Sequence, residues 1–210
     1  MARRGRPPAI GRDELLSSAL AVLRERGVAR LTTREVATRA GVSEGSIFYH
    51  FGDRQALLTA VFHEALRPLF AFKNDMDATE VRVLEDVRAV LEQYVGAVHT
   101  FLDDGLDLLV AAHGDGGLRD EVGAVITAND FGPHRGVAAM SRYFGALKEA
   151  GLVADDVDTD TAAYLMVSAT FLRSAQPKLF GHAKGVASMT DVIDVVLRML
   201  GADARTSGSV

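Results

Sequence analysis

The sequence predicts an all-α chain, with a tri-helical head followed by a larger helical bundle. Three observations predict it. Apolar residues recur three and four apart through most of the long segments, the spacing of a helix face. No segment alternates apolar and polar residues as a half-buried strand does. Acidic and hydroxyl residues, glycines and prolines punctuate the apolar segments where helices start and stop. With 210 residues, 48% of them hydrophobic, the chain can bury a sizeable core.

The first nine residues form a basic arm, Ala-Arg-Arg-Gly-Arg-Pro-Pro-Ala after the initial Met, and Pro7 and Pro8 disfavour helix before them. Helix 1 is expected from Asp13 to Arg26. Leu15, Leu16, Ala19, Leu20 and Leu23 share one face, acids open the helix, bases close it and Gly27 stops it. Helix 2 begins with a capping box, Thr32 capping and Glu35 reaching back, and ends at Ala40-Gly41. Helix 3 follows a turn of about three residues, with Ser43 placed to cap it. Its inward set reads Val42, Ile47, Phe48 and Phe51; its outward set reads Ser43, Glu44, Ser46, Tyr49 and His50. Asp53 caps helix 4, expected over 54–71 with a bend or end at Pro68.

Beyond that point, residues 73–79 read as a turn and 80–102 as a long amphipathic helix. Shorter helical pieces follow, broken at Gly114–Gly117 and at Gly132-Pro133. Residues 134–150 form another helix, and 155–160 an acidic linker. The helix over 161–175 is apolar nearly all round, so it needs neighbours on every side. The last helix runs over 188–200, and 201–210 read as disordered. The domain boundaries are accordingly 1–10 for the arm, 11–56 for the head, 57–202 for the bundle and 203–210 for the tail.

The head carries the informative spacing. Two short helices joined by a three-residue turn cross steeply, so helix 2 needs a small residue at the crossing, Ala37. The turn needs a residue that tolerates unusual backbone angles, Gly41. Helix 3 needs an apolar lock, Ile47. This is a tri-helical helix-turn-helix with helix 3 as the recognition element. Its outward residues are small, polar or flat, which suits the major groove. Gly45 is costly inside a helix and suggests close approach by DNA or another helix. Thr33 and Arg34 open helix 2 where free amides favour a phosphate, and Arg54 opens helix 4 near the same backbone.

Charge supports this reading. Residues 1–54 hold ten Arg against six acids, a net +4, while the whole chain is −5. A cationic head on an acidic body meets a polyanion with one face only. Arg3, Arg4 and Arg6 of the arm are placed to lie along phosphates or enter a minor groove. There is no Cys, which excludes disulfides, thiolate metal sites and cysteine nucleophiles. No Walker loop follows Gly114–Gly117, no catalytic constellation stands out, and His63, His99, His113, His134 and His182 lack ligand spacing. No enzyme activity, cofactor or metal is therefore expected. No run of about 20 apolar residues and no signal segment is seen, so a cytoplasmic protein with no membrane partner is expected.

The run Gly41-Val42-Ser43-Glu44-Gly45-Ser46-Ile47-Phe48-Tyr49-His50-Phe51-Gly52-Asp53-Arg54-Gln55-Ala56-Leu57 resembles the signature of TetR-family transcriptional regulators. Gly27, Thr32-Thr33, Val36-Ala37 and Ala40-Gly41 extend the likeness over about residues 11–60. The resemblance implies that Thr33, Ser43, Ser46, Tyr49 and His50 contact DNA. Arg54 stands where the family usually has Lys, keeping the charge with a planar fork. The resemblance further implies a homodimer formed by the last two long helices and a repressor released from a palindromic operator by an effector. An activator, or a regulator without an effector, is the alternative. The bundle would hold a hydrophobic small molecule, with Phe62, Leu66, Tyr94, Val98, Phe101, Leu109, Met140, Phe144 and Phe171 as candidate lining residues.

Overall fold

The structure, a computed structural model, describes residues 10–78, 84–114, 116–128 and 130–201. Arg3, Arg4, Arg6 and the tail after residue 201 lie outside the described residues. The elements run α1 (Arg12–Arg26), a 3-10 turn (Val28–Arg30), α2 (Thr33–Ala40), α3 (Glu44–Phe51), α4 (Arg54–Ala65) and α5 (Arg67–Ala78). They continue with α6 (Leu84–Gly114), α7 (Gly116–Ala128), α8 (Pro133–Glu149), α9 (Thr159–Phe180) and α10 (Met189–Met199). The described residues hold no strand, and the all-α expectation stands.

Two compact units divide the chain. One holds the described residues up to Ala65 together with Asp107–Val122; the other holds Leu66–Leu106 and the described residues from Gly123 onward. In the first unit α1 packs on α2 and α4, and α3 on α2 and α4. Leu15, Leu23, Val36, Ile47, Leu57 and Phe62 are essentially sealed from solvent there. Burial of such side chains stabilises by roughly 1.5–3 kcal/mol each. In the second unit α9 packs between α8 and α10. Leu91, Met140, Phe144, Ala163, Met166 and Ile193 form its core.

Several boundaries differ from the sequence expectation. The break in the fourth helix falls at Leu66, upstream of Pro68, and a separate α5 continues to Ala78. Proline has no amide to donate, and its ring clashes with the carbonyl four residues earlier, so the interruption precedes it. The polar stretch 73–78 is helical because polarity alone does not end a helix and no glycine or second proline intervenes. The expected start at residue 80 lies outside the described residues. The long helix does not end near Leu102 but runs on through Gly105 to Gly114. A Cβ at Gly105 would stand 2.7 Å from the Phe101 ring, so the missing side chain makes room for an aromatic on the preceding turn.

Helix α9 also departs from expectation. Its apolar surround predicts burial on all sides, yet Tyr164, Leu165, Phe171 and Leu172 are exposed in the single chain. Ala162, Ala163, Met166 and Val167 on the opposite side are buried.

One core group works against stability. The Tyr143 hydroxyl of α8 is buried and finds no hydrogen-bond partner among the described residues. Burial, and then the nearby Asp86 charge, push its pKa up to about 12. Tyr143→Phe is expected to stabilise the chain by about 1 kcal/mol, since it removes a buried unsatisfied group. The sign of the pH effect follows from a raised folded pKa. The stability that this phenol contributes by staying neutral is intact below the unfolded value near 10 and is lost as pH rises through about 12. Denaturant melts between pH 8 and 12 should show a shallower alkaline decline for the variant. Tyr94, which burial shifts in the same direction, contributes to the decline that remains. Equal slopes for both proteins would show that Tyr143 is hydrated.

Candidate nucleic-acid interface

The turn between α2 and α3 is built by local chemistry. Thr32 caps α2, its Oγ1 accepting from the Glu35 amide at 3.2 Å. The reciprocal half of the expected capping box is absent. The Glu35 carboxylate instead pairs with Arg26 of α1, because a cation within reach outcompetes a neutral amide for a carboxylate. Gly41 ends α2 in the left-handed region, φ 69°, and the Val42 amide returns to the Ala37 carbonyl at 3.0 Å. Ala37 is buried at the crossing and Ile47 is fully buried as the lock. A bidentate pair from Arg39 to Glu25, 2.6 and 2.8 Å, ties the end of α2 back to α1. Hydrogen bonding to Arg39 holds the Glu25 carboxyl below its usual range.

These elements place the predicted DNA-contacting residues as follows. Ser43, Glu44, Gly45 and Tyr49 are exposed, with Tyr49 at 86% the most exposed large apolar side chain among the described residues. Ser46 and His50 are partly exposed, and the Tyr49 ring meets the His50 ring edge-on at 5.1 Å. Ser43 sits at the N-cap of α3 but does not cap with its side chain. Its Oγ lies 3.2 Å from that of Ser46, so the two hydroxyls hold each other on the outer face. Arg34 is exposed at the first turn of α2.

Two residues are more committed than sequence reasoning suggests. Thr33 is only 8% exposed, and its Oγ1 donates to the Glu44 carboxylate at 2.5 Å. Arg54 donates from Nε to the Leu31 carbonyl at 3.2 Å, which anchors the guanidinium beside the start of α4. Asp53 caps that helix through the Ala56 amide at 2.8 Å.

Phe48, expected inward, is 48% exposed. Ile47 and Phe51 are four apart and centre the buried stripe of α3. Phe48 follows Ile47 by about 100° on the helix wheel, which sets it on the flank. That rotation is available from the sequence. Phe48 therefore adds an apolar surface to the outer face beside Tyr49.

The candidate effector residues are divided between the two units. Phe62 and Leu109 fall in the first unit and the other seven in the second. Leu66, Tyr94, Val98, Phe101, Met140 and Phe144 are buried. Phe171 alone of the nine lines a cleft of about 620 Å3 between α8 and α9, which it shares with Pro133, His134, Val137, Ala138, Ser141, Asp160, Tyr164, Val167 and Ser168. Ser141 and Asp160 are hydrogen-bonded across the cleft. Among the described residues no three His, Asp or Glu side chains gather to hold a metal ion, and no helix is long and apolar enough to cross a membrane.

Comparison with known proteins agrees with this geometry. The profile described as "Bacterial regulatory proteins, tetR family" matches residues 15–61. The HTH-type transcriptional regulator CymR of Pseudomonas putida is 32% identical over 149 residues, covering 69% of each chain. The HTH-type transcriptional repressor KstR2 of Rhodococcus jostii is 30% identical over 92 residues, 44% of this chain and 43% of that one. The crystal structure of a TetR-family transcriptional regulator from Marinobacter aquaeolei VT8 superposes with a TM-score of 0.63 at 22% identity, covering 91% of this chain and 89% of the other.

Proposed function

This chain belongs to the TetR family of bacterial regulatory proteins, DNA-binding regulators and not enzymes, and from that premise we propose that it is a ligand-responsive repressor. It binds a palindromic operator as a homodimer and is released by a small apolar or aromatic effector. It does this in the cytoplasm, where the DNA is.

The observation that carries the reading is the outer face of α3. An eight-residue helix presents Tyr49 and Phe48 to solvent beside the Ser43–Ser46 pair and His50. Aromatic surface so exposed gains little from the fold, whereas a thymine methyl or a phosphate would use it. Arg34 and Arg54 flank that face and suit the phosphates that set register. A similar repressor, KstR2, supports repression over activation. The α8–α9 cleft supports the effector, since its volume suits a small molecule and its lining is mostly apolar with a few polar groups.

The test is selection of duplexes from a randomised library by the full chain, followed by titration. A palindromic site should emerge. Tyr49→Ala and Arg54→Ala should each weaken binding to it by about tenfold or more. Arg54→Ala should also flatten the salt dependence by about one phosphate contact. Enrichment of no sequence would refute the reading.

A further inference from the structure

The geometry points to Glu44 as the residue that selects a cytosine in each operator half-site, with Thr33 as its positioning residue and Gly45 as its clearance. This rests on the DNA-binding reading above and adds to it which base is read.

Three observations converge. Glu44 is the first residue of α3 and is exposed. The first residues of a recognition helix are those that reach base edges. Its carboxylate is held in place, since Oε1 accepts from the Thr33 hydroxyl at 2.5 Å while Thr33 itself is only 8% exposed at the start of α2. The donor is thus fixed in the fold and the acceptor projects from it. Third, Gly45 lies beside it on the outer face. A Cβ there would meet only Ser43 Oγ, at 3.7 Å, an ordinary contact. Nothing inside the described chain requires a glycine at 45, although a glycine weakens a helix. Bare backbone at that point brings Glu44 close to whatever the face meets.

A carboxylate on a face that meets a polyanion is repelled by every phosphate. Toward DNA it is favourable only against a donor on a base edge. The major groove offers two such donors, the cytosine N4 and adenine N6 amino groups. Adenine N6 stands beside the N7 acceptor, whose lone pair repels the carboxylate's negative charge. Cytosine presents a donor with no adjacent acceptor on its own edge. With one oxygen committed to Thr33, Glu44 offers a single anionic acceptor, and cytosine N4 matches it. The negative charge has a second effect, which is to lower affinity for DNA that lacks the cytosine.

The experiment uses the full chain as wild type, Glu44→Gln, Glu44→Ala and Thr33→Val. Each is put through selection from a randomised duplex library and then titrated against the wild-type site and all its single base-pair variants. The wild type should prefer C·G over the other pairs by about tenfold at one position per half-site. Glu44→Ala should erase that preference at that position alone. It should also bind random duplex several-fold more tightly at low salt, as should Glu44→Gln. Thr33→Val should broaden the same position in part and leave the others intact. A Glu44→Ala profile identical to the wild type, or loosened equally at every position, would overturn the assignment and leave Glu44 as a strut between α2 and α3. A wild type that selects no sequence would bring down both this inference and the function it rests on.

Discussion

Gly45→Leu is expected to weaken operator binding by about 100-fold or more while the protein stays folded. The space around Gly45 sets the two halves of that statement apart. Inside the chain a Cβ at 45 meets only Ser43 Oγ at 3.7 Å, and residue 45 is exposed, so the rest of a side chain can extend outward. On the outside, a leucine would hold α3 off the floor of the groove by several ångströms. Breaking two base-edge interactions worth about 1–3 kcal/mol each already accounts for the factor of 100. Gly45→Ala sharpens the contrast. Replacing glycine in a helix gains up to about 1 kcal/mol, which in a chain of this size raises Tm by about 2–4 °C. The alanine variant should therefore melt higher and bind the operator less well. Fluorescence anisotropy on the selected operator and a thermal melt read both quantities on one sample. A leucine variant that bound like wild type would mean that some other face of the head meets DNA.

The head is legible because its chemistry is local. Ala37, Gly41 and Ile47 lie within eleven residues of one another, and each role follows from backbone geometry that a short segment fixes by itself. What escapes the sequence involves partners farther along the chain. The Thr33–Glu44 bond and the Arg39–Glu25 pair span 11 and 14 residues, and Glu35 turns from its own helix cap to Arg26. Phe48 is misplaced by one step of the helix wheel, where an apolar residue on the flank of a stripe reads like a member of it.

The bundle is less legible for a different reason. Core and pocket residues obey the same apolar periodicity, and nothing in a single segment tells which empty space its side chain borders. Hence six of the nine effector candidates are simply buried in the second unit, while Phe171 opens onto the α8–α9 cleft together with residues that have no apolar signal at all, His134, Ser141 and Asp160.

Leu165→Asp combined with Leu172→Asp is expected to convert a dimer into a folded monomer and to reduce operator affinity by about 100-fold or more. The two leucines, with Leu179, stand seven apart on α9, and all three are exposed, at 44, 52 and 49%. A seven-residue repeat of apolar side chains is the seam of a helix pair. The seam is separate from the cleft, which is faced by Tyr164 and Phe171 one residue earlier on the wheel. Val195 of α10, packed on α9, adds a fourth exposed apolar side chain, at 45%. The sequence demands neighbours on every side of this helix; within one chain α8 and α10 supply some of them and the leucine seam is left bare. A two-fold partner presenting the same seam would complete the set, and a two-fold dimer reads half-sites about one turn of DNA apart. A monomer can engage one half-site only, so the drop in affinity should be far larger than any single interaction explains, and it should vanish on a duplex carrying one half-site. Sedimentation measures the first effect and titration on full and half operators the second. Because the leucines are exposed in the chain, the charged variants should melt as single folded protomers. A double variant that remained dimeric with full operator affinity would move the interface off α9.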